Sequence, residues 1–144
     1  MPVRKKICVI DGQGGGIGAT LIKYIQTRYP GELEILALGT NAIATSQMMK
    51  AGANRGASGE NAIVRTVARV DVVVGTLCIM LAHAMMGEVT PEMAEAVSGC
   101  KAAKLILPIS QENVDLIGVS RDPLPHLVDM MVAEHLKPLL DEPS

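Results

Sequence analysis

The 144-residue chain is long enough for one domain with a core of its own, and residues 1–144 are expected to form a single unit. Trp and Phe are absent and Tyr occurs only at Tyr24 and Tyr29, so the core must be aliphatic, helped by nine Met. The same lack of aromatic rings argues against stacking on single-stranded nucleic acid, and a net charge of −2 argues against binding a duplex.

Cys8, Cys78 and Cys100 are odd in number and lack the spacing of metal ligands, which suits a reducing, cytoplasmic setting and predicts no metal. Arg4-Lys5-Lys6 followed by Ile7 to Ile10 briefly imitates a signal peptide. Asp11 ends that apolar run well before the roughly 7–15 residues of a signal core. Val72 to Gly87 carries no charge beyond a possible one on His83, yet falls short of the ~20 residues of a membrane span and is broken by Gly75. No membrane partner is expected.

In chain order, Ile7-Cys8-Val9-Ile10 reads as a first strand. Asp11-Gly12-Gln13-Gly14-Gly15-Gly16-Ile17-Gly18 follows, leading into a helix that runs to about Tyr29 with Ile17, Leu21, Tyr24 and Ile25 on one face. Strand, glycine loop and helix together aim free backbone N–H groups and a helix dipole at an anion. Gly12, Gly16 and Gly18 fit the G-x-x-x-G-x-G of short-chain dehydrogenases. The stricter G-x-G-x-x-G fails because Ile17 stands in place of its third glycine. A Walker A loop fails at Gln13 and at Ala19, where its lysine would be, so an ATPase is not expected. The bland alternative is a turn that only packs helix on strand. Gly14, Gly15, Gly16 and Gly18 exceed what such a turn needs. Asp11 would repel a phosphate unless it caps backbone N–H groups, bonds a ribose or holds a divalent metal; capping is the preferred reading.

Pro30-Gly31 stops the first helix, and Leu33 to Leu38 forms a second strand closing at Gly39-Thr40-Asn41. Dinucleotide folds usually place an acid there for the ribose; Thr40 and Asn41 stand instead, which weakens an NAD reading. Asn41 is either a ligand contact or the N-cap of a helix over about Ala42 to Ala51. Asn54 to Gly59 reads as a second glycine-rich loop, and Asn54–Asn61 could cover the site as a lid. Its Arg55 is either a phosphate grip or half of a surface ion pair. Ser58 should cap a helix from Gly59 to Arg69. Val72-Val73-Val74, ending at Gly75-Thr76, has the unbroken β-branched character of a central parallel strand. Leu77 to Met86 is expected to be an apolar helix, with His83 inside it either as a hydrogen-bonded core residue or as a buried acid/base. Thr90-Pro91 starts a helix to about Ser98, and Leu105 to Ile109 is another strand. Ser110 to Asn113 is too short for a crossover, so Val114 to Val119 is expected to return as an antiparallel edge hairpin. After Asp122-Pro123, the stripe Leu124, Leu127, Val128, Met131, Val132, His135 and Leu136 marks a last helix; Pro138 ends the stripe, and Asp141 to Ser144 should be frayed.

The alternation predicts an α/β fold: a Rossmann-like three-layer open sheet, mostly parallel. Its carboxyl edge should gather Asp11–Gly18, Thr40, Asn41, Gly75 and Thr76, with Arg55 above them. Three stretches carry a resemblance: Ile10 to Gly18, Ala37 to Thr45, and Gly52 to Ile63, continuing through Gly87-Glu88-Val89-Thr90-Pro91 to about Val119. They resemble the bacterial family catalogued as domain of unknown function 3842, which is Rossmann-like and brings no established activity. Thr76-Leu77-Cys78 departs from that family's Pro-Ile-Gly-like turn, leaving less room for close approach of a ligand.

The residues together point to binding of a phosphorylated small molecule, with a nucleotide or dinucleotide as cofactor or ligand, and they identify no catalytic residue. A short-chain NAD(P) oxidoreductase is the enzyme alternative. It would need a Tyr with a Lys four residues on, whereas Tyr24 is followed by Arg28 and Tyr29 by Leu33. The third reading is a non-catalytic oligomeric sensor or assembly subunit. The apolar surplus of Val72 to Met86 and the many methionines suggest a homodimer or larger, with Leu77–Met86 as the interface and the last helix as second choice, unless the methionines simply fill a core that lacks aromatic residues.

Overall fold

Short aliphatic runs, each followed by a helix that returns the chain to the same end of the sheet, can pair only in parallel. The computed structural model describes residues 4–110 and 112–142. Met1–Val3, Gln111 and Pro143–Ser144 lie outside the described residues, and with them part of the expected Ser110–Asn113 turn and of the frayed end. Lys5–Asp11 (β1) leads to Gly16–Arg28 (α1), Leu33–Gly39 (β2) to Ala42–Lys50 (α2), and Arg55–Ser58 (β3) to Glu60–Val67 (α3). Val72–Thr76 (β4) passes through a 3-10 turn at Leu77–Met80 to Pro91–Gly99 (α4), and Ala103–Leu107 (β5) completes the sheet. Leu124–Met130 (α5), the π-helical Met131–Leu136 and Lys137–Asp141 (α6) follow one another without a break.

The strand order is β3-β2-β1-β4-β5 and every pairing is parallel. Side-chain alternation along the strands builds two cores. Ile7, Val9, Ile35, Ala37, Val72 and Val74 pack against α1, α2 and the C-terminal helices. Cys8, Ile10, Leu36, Leu38 and Val73 pack against α3, the 3-10 turn and α4. The result is a three-layer, Rossmann-like α/β fold. The chain walks outward from β1 to β3, then returns to lay β4 on the other side of β1. That reversal puts the switch point at the carboxyl end of β1, beside the glycine loop.

Several expectations give way. The antiparallel edge hairpin does not form: Val114–Val119 joins no strand, and Ile117 is left 89% exposed. Even positions 114, 116 and 118 and odd positions 115, 117 and 119 leave neither face continuously apolar, and Gly118 sits at φ +84°. Pro108, just past β5, also lacks the N–H that would continue a ladder. Second, Arg55–Ser58 is not a lid but the edge strand β3, paired with Leu36–Gly39. Asn54 starts that pairing by exchanging hydrogen bonds with Ile35: its N–H donates to the Ile35 carbonyl and its Oδ1 accepts from the Ile35 N–H, both at 2.8 Å. Gly59, with φ +98°, rather than Ser58 stands at the N-cap of α3.

Third, only Leu77–Met80 of the expected apolar helix is helical. Thr76 accepts a hydrogen bond from the Cys78 N–H and winds the chain into that tight turn. The chain then doubles back, with His83, Met85 and Met86 all at positive φ. His83 is exposed and Met86 is 95% exposed, so neither belongs to the core. The interface assigned to Leu77–Met86 loses its premise, which was a helix apolar on all sides. Pro138 ends the apolar stripe, and the helix runs on past it to Asp141. The π-helical turn before Pro138 is a usual place for a helix to absorb a proline's missing N–H and bulky ring.

Candidate nucleotide-binding site

Asp11 is the last residue of β1, buried at the mouth of the loop. Its carboxylate accepts from the N–H of Gly12 through Oδ1 and of Gly18 through Oδ2, both at 2.8 Å. The aspartate therefore closes the loop on itself, as capping predicted. Burial pushes its pKa above the usual aspartate range. The bonds from Gly18 and Gly12 pull it back in part, and the charge of Glu88 adds to the rise. A raised acid pKa means that the folded state holds the proton more tightly than the unfolded chain does. Stability from this group is full below the ordinary value of 3.8 and is lost as pH rises through the folded-state pKa. The stability of wild type relative to Asp11→Asn is thus expected to fall as pH rises above that value. Urea melts of both proteins across the acid limb check it, and a difference that grows with pH would contradict the assignment.

The loop glycines separate into two kinds. A Cβ on Gly12 would lie 2.5 Å from Met85 Sδ, one on Gly18 would lie 2.5 Å from Met48 Sδ, and Gly15 has φ +73°. Those three the fold requires. Gly14 and Gly16 have no positive φ, and a Cβ on either would meet nothing within 4 Å. The N–H groups divide as well. Gly12 and Gly18 bond Asp11, Gln13 bonds Glu88, and Gly15 bonds the Gly12 carbonyl. Among the described residues no acceptor meets the N–H of Gly14, Gly16 or Ile17. Gly16 and Ile17 open α1, where the helix dipole favours an anion.

Thr40 and Asn41 complete the rim at the end of β2. Asn41 is the N-cap of α2, its Oδ1 accepting from the Ala44 N–H at 2.8 Å. Its Nδ2 also donates to the Gln13 carbonyl at 3.0 Å, so it is both cap and rim. Sequence reasoning missed the residue at the centre of this rim. Glu88 Oε1 accepts from the Gln13 N–H at 2.8 Å, the Thr40 hydroxyl at 2.6 Å and Asn41 Nδ2 at 2.9 Å. Partial burial pushes the Glu88 pKa up, but the bonds from Thr40, Gln13 and Asn41 outweigh it and hold the carboxyl below the usual glutamate range. One signal was present: Glu88 is the first Asp, Glu, Lys or Arg after Asp71.

Residues 6–140 match the family model described as Domain of unknown function (DUF3842). The chain belongs to the DUF3842 family. No curated protein matches it. Among solved structures, one described as a crystal structure of universal stress protein in complex with cAMP is similar. It shares 18% identity, covers 74% of this chain and 98% of its own, and superposes with a TM-score of 0.42. That likeness says nothing about what the DUF3842 chain binds.

Gly75 and Thr76 end β4 beside the loop, but both face inward. A Cβ on Gly75 would lie 2.7 Å from Ile79 Cδ1, and the buried Thr76 side chain caps the 3-10 turn. They support the site without lining it. Arg55 opens β3 opposite Leu36, three positions before the strand's carboxyl end, and is ion-paired with Glu34. It does not join the glycine loop. A surface groove of about 860 Å³ lies between α3 and α4 beside Asp71, at the amino end of β4. Ligands of open α/β sheets bind at the other end. Among the described residues no group of three or more His, Cys, Asp or Glu is placed to hold a metal, and no helix is long and apolar enough to cross a membrane.

Proposed function

We propose that this DUF3842 protein binds a phosphorylated small molecule, a nucleotide being the class that suits it best. The phosphate would sit on the N–H groups of Gly14, Gly16 and Ile17. The observation that carries the reading is the pair Gly14 and Gly16. They are glycines for which the fold has no use, set where open space meets unpaired N–H groups at the start of a 13-residue helix. Among the described residues no Tyr–Lys pair serves the site. Tyr24 and Tyr29 pack against the core on α1 and just beyond it, which gives the short-chain oxidoreductase reading no support. The cysteines are free, which is in keeping with a reducing compartment such as the cytoplasm, and burial pushes the Cys8 thiol up to about 12, which leaves it unreactive.

Thermal melts against inorganic phosphate, nucleoside monophosphates, dinucleotides and sugar phosphates test the proposal. A ligand at a hundred times its dissociation constant should stabilise the fold by about 2.7 kcal/mol. For a domain of this size that is a rise of roughly 5–10 °C. No shift with any of these anions, together with no co-purifying ligand by mass spectrometry, would overturn it.

A further inference from the structure

We infer that Glu88 reads the ribose of the bound nucleotide, accepting hydrogen bonds from its 2′- and 3′-hydroxyls, so that the site prefers ribonucleotides to their 2′-deoxy and 2′-phosphorylated counterparts. The inference rests on the phosphate-binding reading above and narrows it.

Sheets of this topology meet the ribose hydroxyls with an acid at the end of the second strand. Here β2 ends in Gly39-Thr40-Asn41 and brings no carboxylate of its own. The chain delivers one from the far side of β1. After β4, residues 81–89 fold back over the loop, with Met85 against Gly12, and place Glu88 beside Thr40 and Asn41. This strap is internally fixed. The His83 N–H donates to the Val89 carbonyl at 2.7 Å, the Val89 N–H to the Ala84 carbonyl at 3.1 Å, and the Met85 N–H to Glu112 Oε1 at 2.8 Å. Three non-glycine residues, His83, Met85 and Met86, take positive φ to hold that course, which buries Ala84 and Val89.

The division of labour between the two oxygens of Glu88 supports the assignment. Oε1 takes all three protein donors. Oε2 has no protein partner among the described residues. It is not buried either, since Tyr29 Oη is the one buried, unpaired side-chain atom among them. An ionised, oriented acceptor with one free oxygen suits a vicinal diol, and its charge repels a phosphate on the 2′ position. The free N–H groups of Gly14, Gly16 and Ile17 lie farther along the chain at the start of α1. On this reading they take the 5′-phosphate, and Glu88 Oε2 takes the ribose.

The experiment is isothermal titration of the wild type and Glu88→Gln with four probe sets. These are inorganic phosphate, the adenosine, guanosine, cytidine and uridine 5′-monophosphates, their 2′-deoxy counterparts, and adenosine 2′,5′-bisphosphate. In the wild type the best-bound ribonucleotide should exceed its 2′-deoxy form by about tenfold or more, and the 2′-phosphorylated probe should be weaker still. In Glu88→Gln the ribo-to-deoxy ratio should fall toward one while phosphate binding persists, a change that simple loosening of the loop would not produce. A wild-type ratio of one, or a ratio that survives Glu88→Gln, overturns the inference and leaves the phosphate site standing. A wild-type ratio of one overturns the inference even if the variant folds poorly. Silence with every probe overturns both readings.

Discussion

Replacing Gly16 with Val is expected to weaken binding of a phosphorylated ligand by 100-fold or more while leaving the melting temperature nearly where it was. Gly16 is the first residue of α1, with no positive φ and nothing within 4 Å of the place a Cβ would take. The fold therefore offers no resistance to a side chain there. A glycine inside a helix costs roughly 0.5–1 kcal/mol relative to Ala, so Gly16→Ala should be neutral to stabilising, with the β-branched Val a little behind it. Binding is another matter. A side chain on Gly16 occupies the space through which an anion reaches the N–H groups of Gly14, Gly16 and Ile17. Each hydrogen bond to a charged group contributes about 1.5–3 kcal/mol, and losing two of them amounts to about 3–6 kcal/mol. Every 1.4 kcal/mol is a factor of about ten in affinity, which puts the loss at or beyond two orders of magnitude. Titration and a thermal melt on the same preparation decide it. A variant that binds as the wild type does would remove the loop from the site, and one that fails to fold would show that Gly16 is structural after all.

The elements legible in the sequence are those whose signal is local. The run Ile7 to Ile10 and the β-branched Val72-Val73-Val74 announce central strands because both their faces are buried, and β1 and β4 are where they were expected. Asp11 was readable as a cap because its bonds reach only to Gly12 and Gly18. Thr90-Pro91 likewise marks the start of α4 within four residues of chain. What escaped depends on partners distant in sequence. Glu88 lies 75 residues from Gln13 and 48 from Thr40, and no local pattern connects them. β3 resembles a loop because Arg55, Gly56, Ala57 and Ser58 have no apolar alternation. It becomes a strand because Asn54 pairs with Ile35, and because Gly56, whose Cβ would lie 2.9 Å from Met49 Sδ, lets α2 lie close. The strap over Gly12 escaped for a related reason. An uncharged apolar stretch suggests helix by composition, whereas positive φ at His83, Met85 and Met86 is imposed by where Ala84 and Val89 must bury.

Gly39→Ala is expected to do the reverse of Gly16→Val, destabilising the whole protein and damaging the site through the fold. Gly39 ends β2 and is buried, and the chain turns from it through Thr40 and Asn41 into α2. A Cβ there would lie 2.5 Å from the Asn41 carbonyl oxygen and 2.7 Å from the Thr45 nitrogen. Both are backbone atoms, so no side-chain rotation relieves the clash and the turn itself must open. The same turn is bonded on several sides. The Gly39 N–H donates to Thr45 Oγ1 at 3.1 Å, the Gly39 carbonyl accepts from the Gly59 N–H at 2.9 Å, and Thr45 Oγ1 lies 2.7 Å from Ser58 Oγ. Overpacking costs about 1–3 kcal/mol, and each hydrogen bond lost in opening the turn adds about 1 kcal/mol. A total near 3–5 kcal/mol corresponds to a melting temperature lowered by roughly 10 °C or more. Because Thr40 and Asn41 ride on this turn, Glu88 would lose two of its three donors in the same event. Thermal melts of Gly39→Ala beside Gly16→Ala make the comparison direct, one methyl group added at each position. If both variants melt within about 2 °C of the wild type, the β2–α2 turn is softer than its contacts imply, and the rigidity claimed for the rim of Thr40, Asn41 and Glu88 fails with it.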